Sequence, residues 1–322
     1  MQSVSLSATG LSVSRICFGA MTFGGQTDES TALRMVDRCL DAGVSFFDTA
    51  NVYNAGASET ILGKALKARR NQVVLASKVR GKMGDAPDHQ GLSPAALFRA
   101  CDQSLHRLQT DYLDLYYLHL PDYETPLEQT LEAMQSLVDS GRVRHIAASN
   151  YASWQMCQML WIAQKRGFPP VRVSQPMYNL LARGIEQEFL PFTQEFGIAT
   201  VCYNPLAGGL LTGKHVIESP QEGSRFDHNR MYLDRYWHPS DFDAVEAIRE
   251  ISRRAGRSLV SVSLNWMLHH TPVTCLILGA SRLEHLEENL AAAEHGPLDP
   301  ETVAALDQVW QRLRGITPKY NR

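Results

Sequence analysis

No apolar stretch in this 322-residue chain approaches the ~18 residues that a membrane-spanning helix needs. No block of Lys and Arg stands out either: 31 basic residues are scattered among 34 acidic ones, a net charge of −3, so the cationic stripe of a nucleic-acid binder is missing. The six cysteines (Cys17, Cys39, Cys101, Cys157, Cys202, Cys275) form no CxxC and no Cys/His pair at zinc-ligand spacing, which leaves reduced, mostly buried thiols and no metal site. There is no basic residue before Arg15 and no early apolar run long enough for a signal sequence, so a cytoplasmic setting is expected. GxGxxG, the dinucleotide fingerprint of an open doubly wound sheet, is also absent, because Gly19, Gly24 and Gly25 have the wrong spacing.

What the chain does have is alternation. Eight short β-rich runs, at 15–20, 45–50, 73–79, 114–120, 143–150, 171–179, 198–205 and 274–281, are separated by segments of helical period. Ser93-Pro94, Thr125-Pro126 with Glu128, Ser281 with Glu284, and Asp299-Pro300 read as helix starts. Gly43, Gly141, Gly167, Gly197 and Gly256 read as the left-handed residues that end helices. Near-continuous apolar strands joined by helices imply a parallel sheet covered on both faces, and eight such units close a (β/α)8 (TIM) barrel, read as one domain over 1–322. Alternating runs around Thr9-Gly10 predict an N-terminal β-hairpin on the barrel floor. The strand ends at 205 and 281 lie 76 residues apart, against 26–40 for the earlier steps, which predicts an extra helix between strands 7 and 8. There, 206–240 reads as a long loop and 241–255 and 258–270 as two helices, while 299–313 reads as a C-terminal amphipathic helix.

Chemistry in such a barrel sits at the C-terminal ends of the strands. Those positions hold Asp48, Tyr53 in the following loop, Lys78, His119, Ser149-Asn150, Gln175, Tyr203 and Gly279-Ala280-Ser281. Singly, Asp48 could cap a turn and His119 could fill a core. Lys78 in a doubly covered strand is harder to dismiss, because a desolvated ammonium needs a partner, and Asp48 on the neighbouring strand is the natural one. Such a pair beside Tyr53 is expected to draw the phenol down from ~10. The stretch from Gly208 to Gly213-Lys214 approaches a P-loop but has His215 where Ser or Thr would hold Mg²⁺. With Ser281-Arg282 opening a helix after strand 8, it still suits phosphate contact, and so a cofactor with phosphates. His269-His270, adjacent on a helix, read as structural.

At these residues the sequence resembles the aldo-keto reductases, over essentially its whole length. Phe47-Asp48-Thr49-Ala50 with Tyr53 and Ser58-Glu59 is similar to that family's first signature, 113–119 to its second, and Ala76-Ser77-Lys78 supplies the lysine. Gly141-Arg142-Val143-Arg144 leading to Ser149-Asn150, Tyr203-Asn204-Pro205-Leu206, and Gly279-Ala280-Ser281 with Glu288-Asn289 are similar to its cofactor-binding segments. Asn179-Leu180-Leu181 and 123–126 look most like the branch holding aryl-alcohol dehydrogenases and potassium-channel beta subunits.

The resemblance implies reduction of an aldehyde or ketone with NADPH, NADH being the lesser coenzyme. Tyr53 would be the general acid, Lys78 and Asp48 would tune it, and His119 would orient the carbonyl. Ser149, Asn150 and Gln175 would hold the carboxamide and Tyr203 would stack on the nicotinamide. Met21, Thr22, Asp48, Asn204, Pro205, Leu206, Gly208, Lys214, Arg225, Gly279, Ser281, Arg282, His285, Glu288 and Asn289 would line the rest of NADP⁺. His285 departs from the Arg or Gln of many relatives, which rests NADPH preference on Arg282, Lys214 and Arg225; Asn204 departs from the usual Ser and Asn51 from the usual Asp. The substrate pocket would take Phe23, Tyr53, His119, Tyr123, Tyr151 and Trp237, with the loop 80–93 and the tail beyond Gly315. Two other readings use the same residues: a nicotinamide-nucleotide-binding regulatory subunit resembling the channel beta subunits, and a sugar-phosphate barrel enzyme with Lys78 as a Schiff base. The expected partner is a small-molecule carbonyl compound, with no nucleic acid and no membrane insertion; oligomerisation is left open.

Overall fold

Two short strands at the start of the chain, β1 (Ser3–Ser5) and β2 (Ser12–Ser14), pair antiparallel in the register Ser3↔Ser14, the expected hairpin. In the computed structural model, which describes residues 1–316, eight further strands then pair in parallel and close on themselves. They are β3 (Ile16–Gly19), β4 (Phe46–Asp48), β5 (Val74–Val79), β6 (Leu113–Leu118), β7 (Val143–Ser149), β8 (Val173–Gln175), β9 (Ala199–Cys202) and β10 (Cys275–Leu278), in sequence order around the barrel, with β10 beside β3. Each lies within one of the eight predicted runs, apart from the first residue of β6.

Side chains alternate across a strand, and here one set fills the barrel while the other faces helices. Cys17, Phe46, Val74, Ala76, Leu115, Tyr117, Ala147, Val173, Val201, Cys275 and Ile277 form the interior, and Leu6 and Val13 of the hairpin join the same cluster, closing its floor. The outward set, Phe18, Phe47, Leu75, Tyr116 and Leu118 among it, packs under the helices in a second and larger cluster.

Those helices are α1 (Glu29–Asp41), α2 (Ala57–Leu66), α3 (Pro94–Leu108), α4 (Leu127–Asp139), α5 (Ser153–Arg166), α6 (Phe189–Glu195), α7 (Arg230–Tyr236), α8 (Pro239–Arg254), α9 (Leu259–His270), α10 (Leu283–Ala293) and α11 (Pro300–Arg314). Ser93 caps α3 by accepting from the Ala96 N–H at 3.3 Å, and Asp299 caps α11 through the Thr302 N–H at 2.8 Å, both as expected. The five glycines expected after helices all take φ between +59° and +77°.

Two expected helix starts move. Thr125 does not cap α4, because its hydroxyl donates at 2.9 Å to the carboxylate of Asp122, a charged and therefore stronger acceptor. Ser281 lies one residue outside α10, whose cap position is Arg282. The loop 206–240 also contains more helix than its Gly- and aromatic-rich sequence suggests. Ala207–Thr212 forms 3-10 turns, and α7 is capped by Asn229 and buries Tyr232 and Tyr236. All six cysteines are free thiols, Cys157 exposed and the rest buried, and no helix among the described residues is long and apolar enough to cross a membrane.

The α2–α3 contact yields a testable number. A Cβ on Gly63 would lie 2.6 Å from the Arg107 carbonyl oxygen and from Leu108 Cα, backbone atoms that cannot swing aside. Gly63→Ala should therefore lower the unfolding free energy by ~1–3 kcal/mol, the usual range for overpacking; chemical denaturation of the two proteins measures it.

Candidate active site

The same two-residue period builds the barrel mouth. Asp48 lies two residues beyond interior Phe46, Lys78 beyond Ala76, His119 beyond Tyr117, Ser149 beyond Ala147, Gln175 beyond Val173, Tyr203 beyond Val201 and Gly279 beyond Ile277. They form a further inward layer, at the C-terminal ends where a barrel of this kind carries its chemistry.

Within it, the Lys78 ammonium is fully buried and contacts the Asp48 carboxylate on the adjacent strand. It also donates to the Thr49 carbonyl at 2.8 Å and lies 3.3 Å from the Tyr53 hydroxyl. The other Asp48 oxygen accepts from Gln175 Nε2 at 2.9 Å, a tie that spacing gave no hint of. The His119 ring meets the Tyr53 ring edge-on, centroids 5.8 Å apart.

Burial works against the charge on Lys78, but Asp48 and Tyr53 outweigh it and hold the ammonium above its ordinary pKa. For Tyr53 the expected lowering is overturned: burial raises the phenol, and the pull of Lys78 offsets this only in part. Burial, aided by Lys78 and Arg80, pushes His119 down to about 3, so its imidazole is neutral at pH 7.

Beside this group, Asn150 (φ +64°) donates to the His119 carbonyl at 3.0 Å and accepts from the Tyr203 hydroxyl at 2.7 Å. Ser149 Oγ donates to the Gln175 carbonyl at 2.9 Å. Asn204 (φ +59°) accepts from the Tyr232 hydroxyl at 3.2 Å, and its buried Nδ2 has no partner among the described residues. Pro205 is buried, Leu206 half-buried, and Gly208 takes φ +69°.

Across the mouth, Thr22 Oγ1 donates to the Ala280 carbonyl at 2.8 Å and Thr27 to the Ser281 carbonyl at 3.2 Å, tying the β3–α1 loop to the end of β10. Arg225 reaches back to Met21 Sδ (3.2 Å) and Tyr232 Oη (3.3 Å). Lys214 and Arg282 both help to depress the His285 imidazole, after burial, while Glu288 opposes them, so these four side chains share the start of α10; Asn289 is buried on the same helix.

Not every expected residue joins the mouth. Phe23 is fully buried against Phe18, centroids 5.6 Å apart, and faces the core instead. Trp237 stacks in a box with His215, Phe226 and Phe242 and donates to the Ile217 carbonyl, building the interior of the 206–240 loop. His215, which fills the metal-ligand place of the near P-loop, is a buried ring of that box, as is Phe226. Tyr151 is buried with its hydroxyl on the Leu120 carbonyl, and Tyr123 is 80% exposed at the rim. The tail beyond Gly315 lies, from residue 317 on, outside the described residues. Some signature positions serve the scaffold instead of the mouth. Asp114 binds Arg70, Arg144 and the Leu75 N–H, and Glu59 binds Ser77 and Arg107. One mouth residue was missed. Arg235 acts on the Tyr203 phenol and lies over the Tyr232 ring at 5.6 Å, in the stretch read as a long loop.

A model of the aldo/keto reductase family matches residues 15–311. The chain is 37% identical to human "Aldo-keto reductase family 7 member A3" over 94% of its own length and 96% of that protein's. It is 36% identical to "Aflatoxin B1 aldehyde reductase member 2" of Rattus norvegicus, over 94% of this chain and 86% of the relative. It is 34% identical to "Probable voltage-gated potassium channel subunit beta" of Oryza sativa subsp. japonica, over 99% and 100%. Since the family match begins before β3, ends beyond β10 and so takes in every strand that supplies the mouth, the chain belongs to the aldo/keto reductase family of oxidoreductases.

Proposed function

We propose that this protein reduces aldehydes or ketones to alcohols using NADPH, with Tyr53 as the general acid. The observation that carries this is the Tyr53 hydroxyl 3.3 Å from an ammonium that is wholly buried on a carboxylate. Burial keeps the phenol protonated at neutral pH, as a proton donor must be. As the proton leaves Tyr53 Oη for the carbonyl oxygen, the Lys78 charge stabilises the phenolate left behind. Neutral His119 can donate a ring N–H to the same oxygen, fixing the carbonyl's orientation. The raised pKa of Lys78 keeps it an ammonium, which argues against its serving as a Schiff-base nucleophile.

A bound nicotinamide supplies the hydride, and the protein supplies position and electrostatics. The residues present fit such a group: the unpartnered amide nitrogen of Asn204, the exposed Gly279 backbone at the end of β10, and the Lys214 and Arg282 charges at a helix start. Ser149, Asn150 and Gln175 would hold the carboxamide, Tyr203 the ring, and Lys214, Arg225 and Arg282 the phosphates, with Glu288 and Asn289 toward the adenosine.

Oxidation of NADPH by the purified protein over aromatic, aliphatic and sugar aldehydes, with NADH in parallel, tests the reading. Turnover with NADPH is expected on aldehydes, the substrate class that the name of the rat relative states for that protein. Replacing both Lys214 and Arg282 by Ala should weaken NADPH binding ~10²- to 10⁴-fold and NADH binding far less, since charge-assisted contacts are each worth ~1.5–3 kcal/mol. Nucleotide binding with no turnover on any carbonyl would favour a regulatory subunit instead, the role that the name of the rice relative gives that protein.

A further inference from the structure

The residues after Tyr53 adopt an unusual backbone. Asn54 (φ 48°, ψ 45°), Ala55 (φ 53°, ψ 35°) and Gly56 (φ 93°) are left-handed in succession, and two of the three carry a Cβ. Asn tolerates this region and Ala does not, so something must hold the turn. The Asn54 side chain is placed to do so. Its Nδ2 donates to the Met21 carbonyl at 2.9 Å and to the Phe23 carbonyl at 2.8 Å, spending both hydrogens on the β3–α1 loop. Its Oδ1 lies against Gly25, where an added Cβ would be only 2.6 Å away.

We propose that Asn54 is a positioning residue for Tyr53: its amide, seated on Gly25 and bonded to Met21 and Phe23, holds the left-handed turn that sets the phenol against Lys78. The assignment rests on Tyr53 being the general acid and adds a mechanical link. The loop gripped by Asn54 is the one that Thr22 fastens to Ala280, so the proton donor and the β10 end of the mouth share one brace. The groups facing Tyr53 are Lys78, Asp48, His119, Tyr203 and Tyr232. None of them belongs to the brace.

Two variants separate bracing from folding. Asn54→Gly removes both donors while easing the backbone. Gly25→Ala leaves the turn's own sequence intact and drives a methyl into the amide; Gly25 is not left-handed, so the alanine adds no backbone strain. Single-turnover aldehyde reduction at saturating NADPH is measured against pH, with the substrate KM and the NADPH Kd. Both variants should react ~10- to 100-fold more slowly, the scale of a small misplacement of a reacting group, with KM changed less than kcat. The alkaline limb of the rate should also move to higher pH, because a phenol drawn away from Lys78 loses the charge that lowers its pKa. Wild-type rates and profile in either folded variant overturn the proposal. So does a rate loss that merely tracks the folded fraction and leaves the limb in place. A failure of the general-acid reading itself would show elsewhere, as near-normal turnover in Tyr53→Phe.

Discussion

Tyr53→Phe should bind NADPH as wild type does and reduce aldehydes ~10²- to 10⁴-fold more slowly, the range that positioned general acids contribute. The substitution removes one oxygen from a part-buried ring and keeps the ring itself, so its edge-on contact with His119 survives. Lys78 keeps Asp48 and the Thr49 carbonyl, and the buried charge is not orphaned. Loss of rate with intact fold and intact nucleotide affinity therefore reports on the proton alone. The alkaline limb assigned to the phenol should vanish from the residual activity. Fluorescence titration with NADPH and steady-state turnover across pH check both halves. Near-normal turnover would move the proton donor to another group.

Lys78→Met is expected to cost both activity and stability. The variant leaves the Asp48 carboxylate buried, with Gln175 as its remaining side-chain partner. Breaking a buried pair from one side costs ~3–5 kcal/mol, because the surviving charge is uncompensated. Pairing Lys78→Met with Asp48→Leu should recover most of that loss, since apolar replacements of buried pairs are often neutral, and should recover no turnover. Urea unfolding of the three proteins beside an NADPH assay separates fold from chemistry. The sign of the pH dependence follows from the raised pKa of Lys78. The pair contributes fully below the ordinary lysine value of 10.5, and its contribution fades as pH rises through the higher folded value. On the alkaline side, the stability gap between wild type and Lys78→Met should therefore hold up to about pH 10.5 and narrow above it. A gap that stays constant as pH rises through that range would mean that another group dominates.

The barrel was legible because its signals repeat: eight near-continuous apolar runs, helical segments between them, and glycines after the helices. The Lys78–Asp48 pair was legible for a different reason, that a buried ammonium demands a carboxylate and only a neighbouring strand can bring one. What failed did so where a residue had competing partners. Thr125 was a sound cap until Asp122 offered a better acceptor, and Phe23, next to the mouth residue Thr22, turned inward to Phe18. Trp237 and Arg235 sit in the 206–240 loop, where the aromatic box fixes the first and Tyr203 meets the second, contacts distant in sequence with no period to read. The Tyr53 phenol failed in sign because the pattern shows the nearby charge and hides the depth of burial.

The inward phase shared by all eight strands makes the molecule unevenly tolerant of change. Deleting one residue from β5 would swing Lys78 out toward the helices and bring Ser77 or Val79 to face the interior, exchanging reactive group for bystander in a single step. The same deletion placed after a strand, in 80–93 or 206–240, alters loop length and leaves the phase alone. Such a lineage can lengthen, shorten and rebuild its rim freely while its eight strands admit substitution but scarcely any insertion. Substrate range can then drift quickly around a reaction that stays fixed.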